Sequence, residues 1–268
     1  MTEPSTAARS TLPLFYRTPQ PLSSAVHEAW RLTAGDVAFA SDTPFVPIVI
    51  GELAEAARCY PVVFAGGDAQ PLALLGLEKR NLFVDEGQWT ADHYVPAYVR
   101  RYPFGFVPTA NPEGFALAID AASARVLQTG TEGAALFEQG EPTAVTREAL
   151  AFCDAFQSSA AATRAFVEAL RAEGLLIDRR ADATLADGRK LGLDGLQIID
   201  ADKVTGLADA VVVDWHRKGW LALIAFHIKS LDRFAALLDL QAASVTEVAP
   251  PMEASQPDRP AVVEEVFA

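Results

Sequence analysis

"YPVVFAGGDAQPLALLGL", residues 60–77, is the stretch on which the fold class turns. Two apolar runs of strand length flank Gly66-Gly67-Asp68, and glycines supply the positive φ that a tight turn between antiparallel strands requires. The spacing predicts a β-hairpin. Lying between two such runs, the Gly-Gly-Asp triplet reads as a turn and not as nucleotide-binding chemistry.

Further along the chain, Phe152, Phe156, Ala160, Thr163, Val167 and Leu170 recur at helical spacing between Thr146 and Arg171, and Gly174 stands where a helix would stop. The Ser158-Ser159 pair is a place where that helix could divide in two. "LLID", "TLADGRKLGL" with its Asp-Gly turn, and "LQIID" read as short strands or a hairpin, followed by a short helix over "ADKVTGLA". "AVVVDW" and "WLALIAF" then read as a second hairpin, with Trp215 facing Trp220 across "HRKG" and the second strand apolar on both faces. Ser230 is expected to cap a last helix whose inward stripe is Leu231, Phe234, Ala235 and Leu238. The succession predicts an α+β fold with mixed or antiparallel sheets and packed helices. It spans 13–243 as one compact domain, or as two tightly packed lobes, 13–140 and 141–243. Residues 1–12 and the acidic, proline-rich tail 244–268 are expected to be disordered.

The chain carries 22 basic and 35 acidic residues, a formal net charge of −13, so its field repels nucleic acid and anionic lipid. Its longest apolar runs are too short to span a bilayer, and the first residues lack the apolar core of a secretory signal. We expect a soluble, cytoplasmic protein with no nucleic-acid partner and no membrane insertion. Cys59 and Cys153 have neither a C-x-x-C context nor a neighbouring histidine, which fits free thiols of a reducing compartment, both placed in the core.

No familiar chemistry follows from spacing. His27, His93, His216 and His227 show no metal-ligand pattern, and the second hairpin would hold His216 and His227 far apart, so no metal site is expected. There is no G-x-S-x-G, phosphate loop or dinucleotide fingerprint, which leaves cofactor, reaction and oligomeric state unassigned.

One segment stands out. "WTADHYVPAYVRRYPFGFV", residues 89–107, holds three of the five tyrosines, a tryptophan, a histidine and two adjacent arginines. Pro96 and Pro103 bracket a helix of about two turns, on which Tyr94 and Tyr98 would share a face while Arg100 and Arg101 point about 100° apart. Rings flanked by guanidinium groups can stack on a planar ligand or clamp a carboxylate or phosphate. The same residues could equally anchor a short helix to a sheet, with the arginine stems packed along it. The candidate ligand-binding residues are therefore Trp89, His93, Tyr94, Tyr98, Arg100 and Arg101.

"GLEKRNLFVDEGQWTADHYVPAYVRRYPFGFV", "ALFEQGEPT", "LADGRKLGLDGLQIIDADKVTGL" and "HRKGWLALIAFHIKSLDRFAALL", in that order, resemble the bacterial SapC family over about residues 10 to 241. The resemblance implies a family named for a surface-layer locus, with relatives near genes for outer-membrane receptors and flavin-dependent halogenases, and transfers no catalytic residue. Three functional classes stay open. They are an accessory protein binding a small molecule or protein partner through 89–107, an enzyme with a site near His93 or His216, and a surface-layer structural protein.

Overall fold

The computed structural model describes residues 12–65, 67–110, 113–184 and 190–248. The hairpin at 60–77 forms, although Gly66 of its turn lies outside the described residues. Val62–Ala65 pairs antiparallel with Gln70–Leu74, setting Val62 opposite Ala73 and Phe64 opposite Pro71. This pair is the middle of a five-stranded antiparallel sheet, ordered Leu176–Thr184, Lys190–Ile199, Val62–Ala65, Gln70–Leu74, Phe45–Pro47. Val62, Val63 and Phe64 are wholly buried, which is why the run is apolar without alternation: helices cover both faces. A second, three-stranded sheet joins Pro19–Pro21, Glu113–Asp120 and Phe104–Ala110.

In chain order the helices are α1 (Ser24–His27), α2 (Leu53–Cys59), α3 (Ala97–Arg100), α4 (Ala144–Ala172), α5 (Ala201–Thr205), α6 (Asp209–Arg217), α7 (Trp220–Ser230) and α8 (Arg233–Val248). The fold is thus a compact α+β arrangement. One core cluster gathers Leu53 and Ala56 of α2, Val62 and Val63 of the sheet, Val99 of α3 and Leu237 of α8. Another packs Phe64 and Ile199 against Phe166 and Leu170 of α4, Trp215 of α6 and Ile224 of α7.

Helix α4 runs unbroken for 29 residues, so the Ser158-Ser159 pair does not divide it. Thr163 bonds back to the Ser159 carbonyl at 2.7 Å, and its hydroxyl also accepts the Ile50 N–H at 3.0 Å, so the polar positions have partners without breaking the helix. The helix ends at Gly174, where φ is +63°, and the Leu175 N–H reaches back to the Leu170 carbonyl at 2.9 Å. Leu176–Thr184 and Lys190–Ile199 form a long hairpin whose Asp187-Gly188 turn lies outside the described residues. The short helix after it is α5, capped by the Asp200 carboxylate.

The second predicted hairpin is instead a pair of helices. Residues 210–226 build α6 and α7, joined across Lys218 and Gly219, the latter at φ +73°. A short run that is apolar on every side fits a buried helix as well as a buried strand, and period alone does not separate them. Trp215 and Trp220 do meet, as an edge-to-face pair with centroids 5.8 Å apart, but across a helical corner. Ser230 does not cap the last helix either; it ends α7, donating to the His227 carbonyl at 2.6 Å and accepting the Val62 N–H at 3.0 Å. On α8 the inward stripe is Phe234, Leu237, Leu238 and Gln241, whereas Ala235 is exposed and Leu231 precedes the helix. The helix continues to Val248, past the expected boundary at Ala243. Of the cysteines, Cys153 is buried as expected and Cys59 is only half-buried.

Helix α7 therefore completes the hydrogen bonding of two neighbouring strands, because His227 Nε2 also accepts the Ile199 N–H at 3.0 Å. Burial lowers the His227 pKa from 6.5 to about 4, so the folded protein holds it neutral. The unfolded chain takes up the proton first as pH falls below about 6.5. The associated stability is present above that pH and is lost progressively toward pH 4. Between pH 7 and pH 5 the wild type should lose about 2 kcal/mol more than a His227→Gln variant, which keeps an acceptor for Ile199. Urea unfolding at the two pH values checks this, and parallel losses in both proteins would exclude it.

Candidate functional site

The 89–107 segment is organised by a residue outside it. Glu52 ends a 3₁₀ turn (Ile50–Glu52) that leads into α2, and its side chain points inward, almost wholly buried. One carboxylate oxygen accepts the Val49 N–H at 3.1 Å; the other accepts the Ala97 N–H at 2.6 Å and the Tyr94 hydroxyl at 2.9 Å. Burial pushes the Glu52 pKa up, opposed by the donors from Ala97, Val49 and Tyr94 and by the charge of Arg100. Burial and the Glu52 carboxylate raise Tyr94 to about 12, so the phenol keeps its proton and donates it.

Helix α3 is a single turn, shorter than expected, because Pro96 sits just outside it as its cap and the chain turns again before Pro103. Tyr94 thus precedes the helix, and Tyr94 and Tyr98 do not share a helical face. The two arginines separate as their angular offset requires. Arg100 Nη2 donates to the Tyr94 hydroxyl at 2.8 Å and Nε to the Val95 carbonyl at 3.0 Å, while its guanidinium lies 5.2 Å from the Phe152 ring centre. Arg101 turns the other way, 4.1 Å from the centre of Tyr98 and 4.4 Å from that of Phe156. Tyr98 is buried and its hydroxyl reaches the Leu14 carbonyl at 3.3 Å.

Trp89 and His93 belong to a third neighbourhood. Trp89 donates to the Tyr60 hydroxyl at 2.9 Å, and that hydroxyl donates on to the Tyr94 carbonyl at 2.6 Å. His93 packs against Phe83, with ring centres 5.0 Å apart and the planes tilted by 44°. The six predicted residues therefore do not converge: Tyr94 and Arg100 share one cleft, His93 lines another, and Tyr98 and Arg101 form a packed stack. His216 is exposed in the last turn of α6, apart from the buried His227.

The Tyr94–Arg100 cleft has a volume of about 230 Å³ and is walled by Glu52 and Ala97 on one side and by Phe152, Phe156 and Ser159 of α4 on the other. Sequence reasoning missed Glu52 as a site residue and took Phe152 and Phe156 only as core positions. A usable signal existed, since Glu52 is an isolated acid in "VPIVIGELA" and a charge inside an apolar run has to be paired when it is buried. Among the described residues no group of three or more His, Cys, Asp or Glu side chains could hold a metal ion. No described helix is long and apolar enough to cross a membrane.

These features define an α+β protein with an aromatic and guanidinium-lined surface cleft. Residues 22–237 match the family described as SapC, and the chain belongs to that family. No curated protein and no solved structure matches it.

Replacing Glu52 by Gln would turn one acceptor into an NH2 facing the donors that the carboxylate now receives. We expect Glu52→Gln to cost about 2 kcal/mol of stability, read by denaturant unfolding at pH 7. A loss below about 0.5 kcal/mol would mean that the carboxylate does not organise the segment.

Proposed function

We propose that the protein is a cytoplasmic accessory protein that binds a carboxylate- or phosphate-bearing small molecule, or an acidic side chain of a protein partner, at the Glu52–Tyr94–Arg100 cleft. The observation that carries this reading is the state of Arg100. Its Nε and Nη2 are held by Val95 and Tyr94, which orients an exposed guanidinium beside the Phe152 ring. A planar fork fixed in this way can take an anionic oxygen while the adjacent ring receives an apolar or aromatic body. Glu52 supports this by orienting Tyr94, and Tyr94 orients Arg100. The two free cysteines support an intracellular setting, and fractionation of the native cells tests it: recovery in the envelope or medium would favour the surface-layer reading instead.

Arg101 carries the structural half of the segment. Its guanidinium rests against both the Tyr98 and the Phe156 rings, and its Nε is buried with no hydrogen bond among the described residues. Arg101→Lys should therefore cost about 1–3 kcal/mol through lost stacking. Arg100→Lys should change stability by less than about 0.5 kcal/mol yet weaken ligand binding about tenfold, because lysine keeps the charge and loses the fork. Benzoate is a suitable probe, titrated while backbone amide NMR shifts are followed. Shifts confined to residues 49–52, 94–100 and 152–159, and weakened in Arg100→Lys, are the expected result. Shifts that map elsewhere, or survive unchanged in Arg100→Lys, would overturn the assignment.

A further inference from the structure

A second cleft, of about 290 Å³, is lined in part by the 89–101 segment and shares no lining residue with the first. Into it face the half-buried Cys59 at the end of α2, His93 and Asp92 from the loop before α3, and Arg58 and Arg233, with Leu240 of α8 on the apolar wall. This brings the one accessible thiol of the chain into the same cavity as an imidazole and two guanidinium groups.

Three geometric facts give the thiol a context. The Cys59 sulfur accepts the Tyr94 N–H at 3.4 Å, so a backbone donor is already placed on the atom where negative charge would form. His93 Nδ1 lies 3.0 Å from the Ala91 carbonyl; a carbonyl can only accept, so Nδ1 carries a hydrogen and Nε2 is the ring nitrogen that exchanges a proton with the cavity. The ring packs against Phe83, with centroids 5.0 Å apart. Cys153 offers the contrast: it is buried, and burial pushes its thiol up to about 11.

We propose that Cys59 is a thiol–disulfide exchange site for a low-molecular-weight, peptide-like disulfide that bears carboxylates and an ammonium group. His93, which lines the same cavity, takes the Cys59 proton through Nε2 by way of one water, and the thiolate attacks one sulfur of the disulfide. The S–S bond of the small molecule breaks as the Cys59–sulfur bond forms, and the departing thiolate leaves as a thiol after recovering the proton. Cys59 is thereby oxidised to a mixed disulfide, and half of the incoming disulfide is reduced. Arg233 and Arg58 receive the carboxylates, Arg58 exchanging its exposed pair with Glu55, and Asp92 receives the ammonium. The requirement for both charge signs selects an aminoacyl or peptidyl disulfide over a neutral one.

The test treats the full-length protein with oxidised glutathione at pH 7 and follows adducts by intact mass and peptide mapping. One adduct, on Cys59 and absent from Cys59→Ser, is expected. His93→Asn should slow its formation about tenfold at pH 7 and move the rise of rate with pH up to the range of an unassisted thiol, an effect that a purely structural role would not produce. Arg233→Gln, an exposed position, should slow the reaction with oxidised glutathione but not with neutral hydroxyethyl disulfide. The Arg233→Gln comparison decides even if His93→Asn fails to fold. Modification of Cys153 at a comparable rate, or equal rates for wild type and Arg233→Gln with both disulfides, would overturn the proposal.

Discussion

A buried carboxylate imposes the strictest requirement in this molecule. Leaving Glu52 in the interior without partners would cost several kcal/mol, so every part of the chain that supplies it with a donor is bound to its position. Those donors come from Val49 before the 3₁₀ turn, from Ala97 at the start of α3, and from the Tyr94 side chain. Through them the loop 94–97 is tied to the start of α2, some forty residues earlier in the chain. Arg100 then inherits its orientation from Tyr94, and the cleft takes its shape from both.

The same entrance to α2 is held from the other side by α4. Its Ser159 and Thr163 hydroxyls accept the N–H groups of Gly51 and Ile50, and Phe156 and Phe152, one and two turns before Ser159 on the same helix, supply the rings beside the two arginines. A long helix is well suited to this, because residues three, four, seven and eleven apart stay on one face over its length. Polar contacts to the 3₁₀ turn before α2 and aromatic contacts to the α3 arginines thus come from one rigid surface. Helix α7 does similar work for the five-stranded sheet: His227 and Ser230 accept N–H groups of Ile199 and Val62.

Tyr94 is the residue where the two clefts meet. Its hydroxyl serves Glu52 and Arg100 on one side, its amide N–H rests on the Cys59 sulfur on the other, and its carbonyl is held by Tyr60, which also accepts from Trp89. The density of aromatic residues in 89–107 follows from this geometry, since a loop with little regular structure is held by large side chains and their polar ends.

Local patterns determined much of this protein. The 60–77 hairpin, the long helix with its Gly174 stop, the Leu176–Ile199 pairing and the short helix after Asp200 each rest on turn residues, caps or periods that act within a few residues, and all are present. The family is legible too, because its segments keep their order along the chain. Tertiary structure alone decided the rest. Residues 220–226 are apolar at every position, a pattern that a packed helix and a buried strand satisfy equally, and the neighbours α2, α6 and the sheet made them helical. The site could not be read from 89–107 because its organiser, Glu52, and its walls, Phe152 and Phe156, are distant in sequence. Burial couples a charge to whichever donors the fold brings within about 3 Å of it, and that distance is set by packing, which no local spacing encodes.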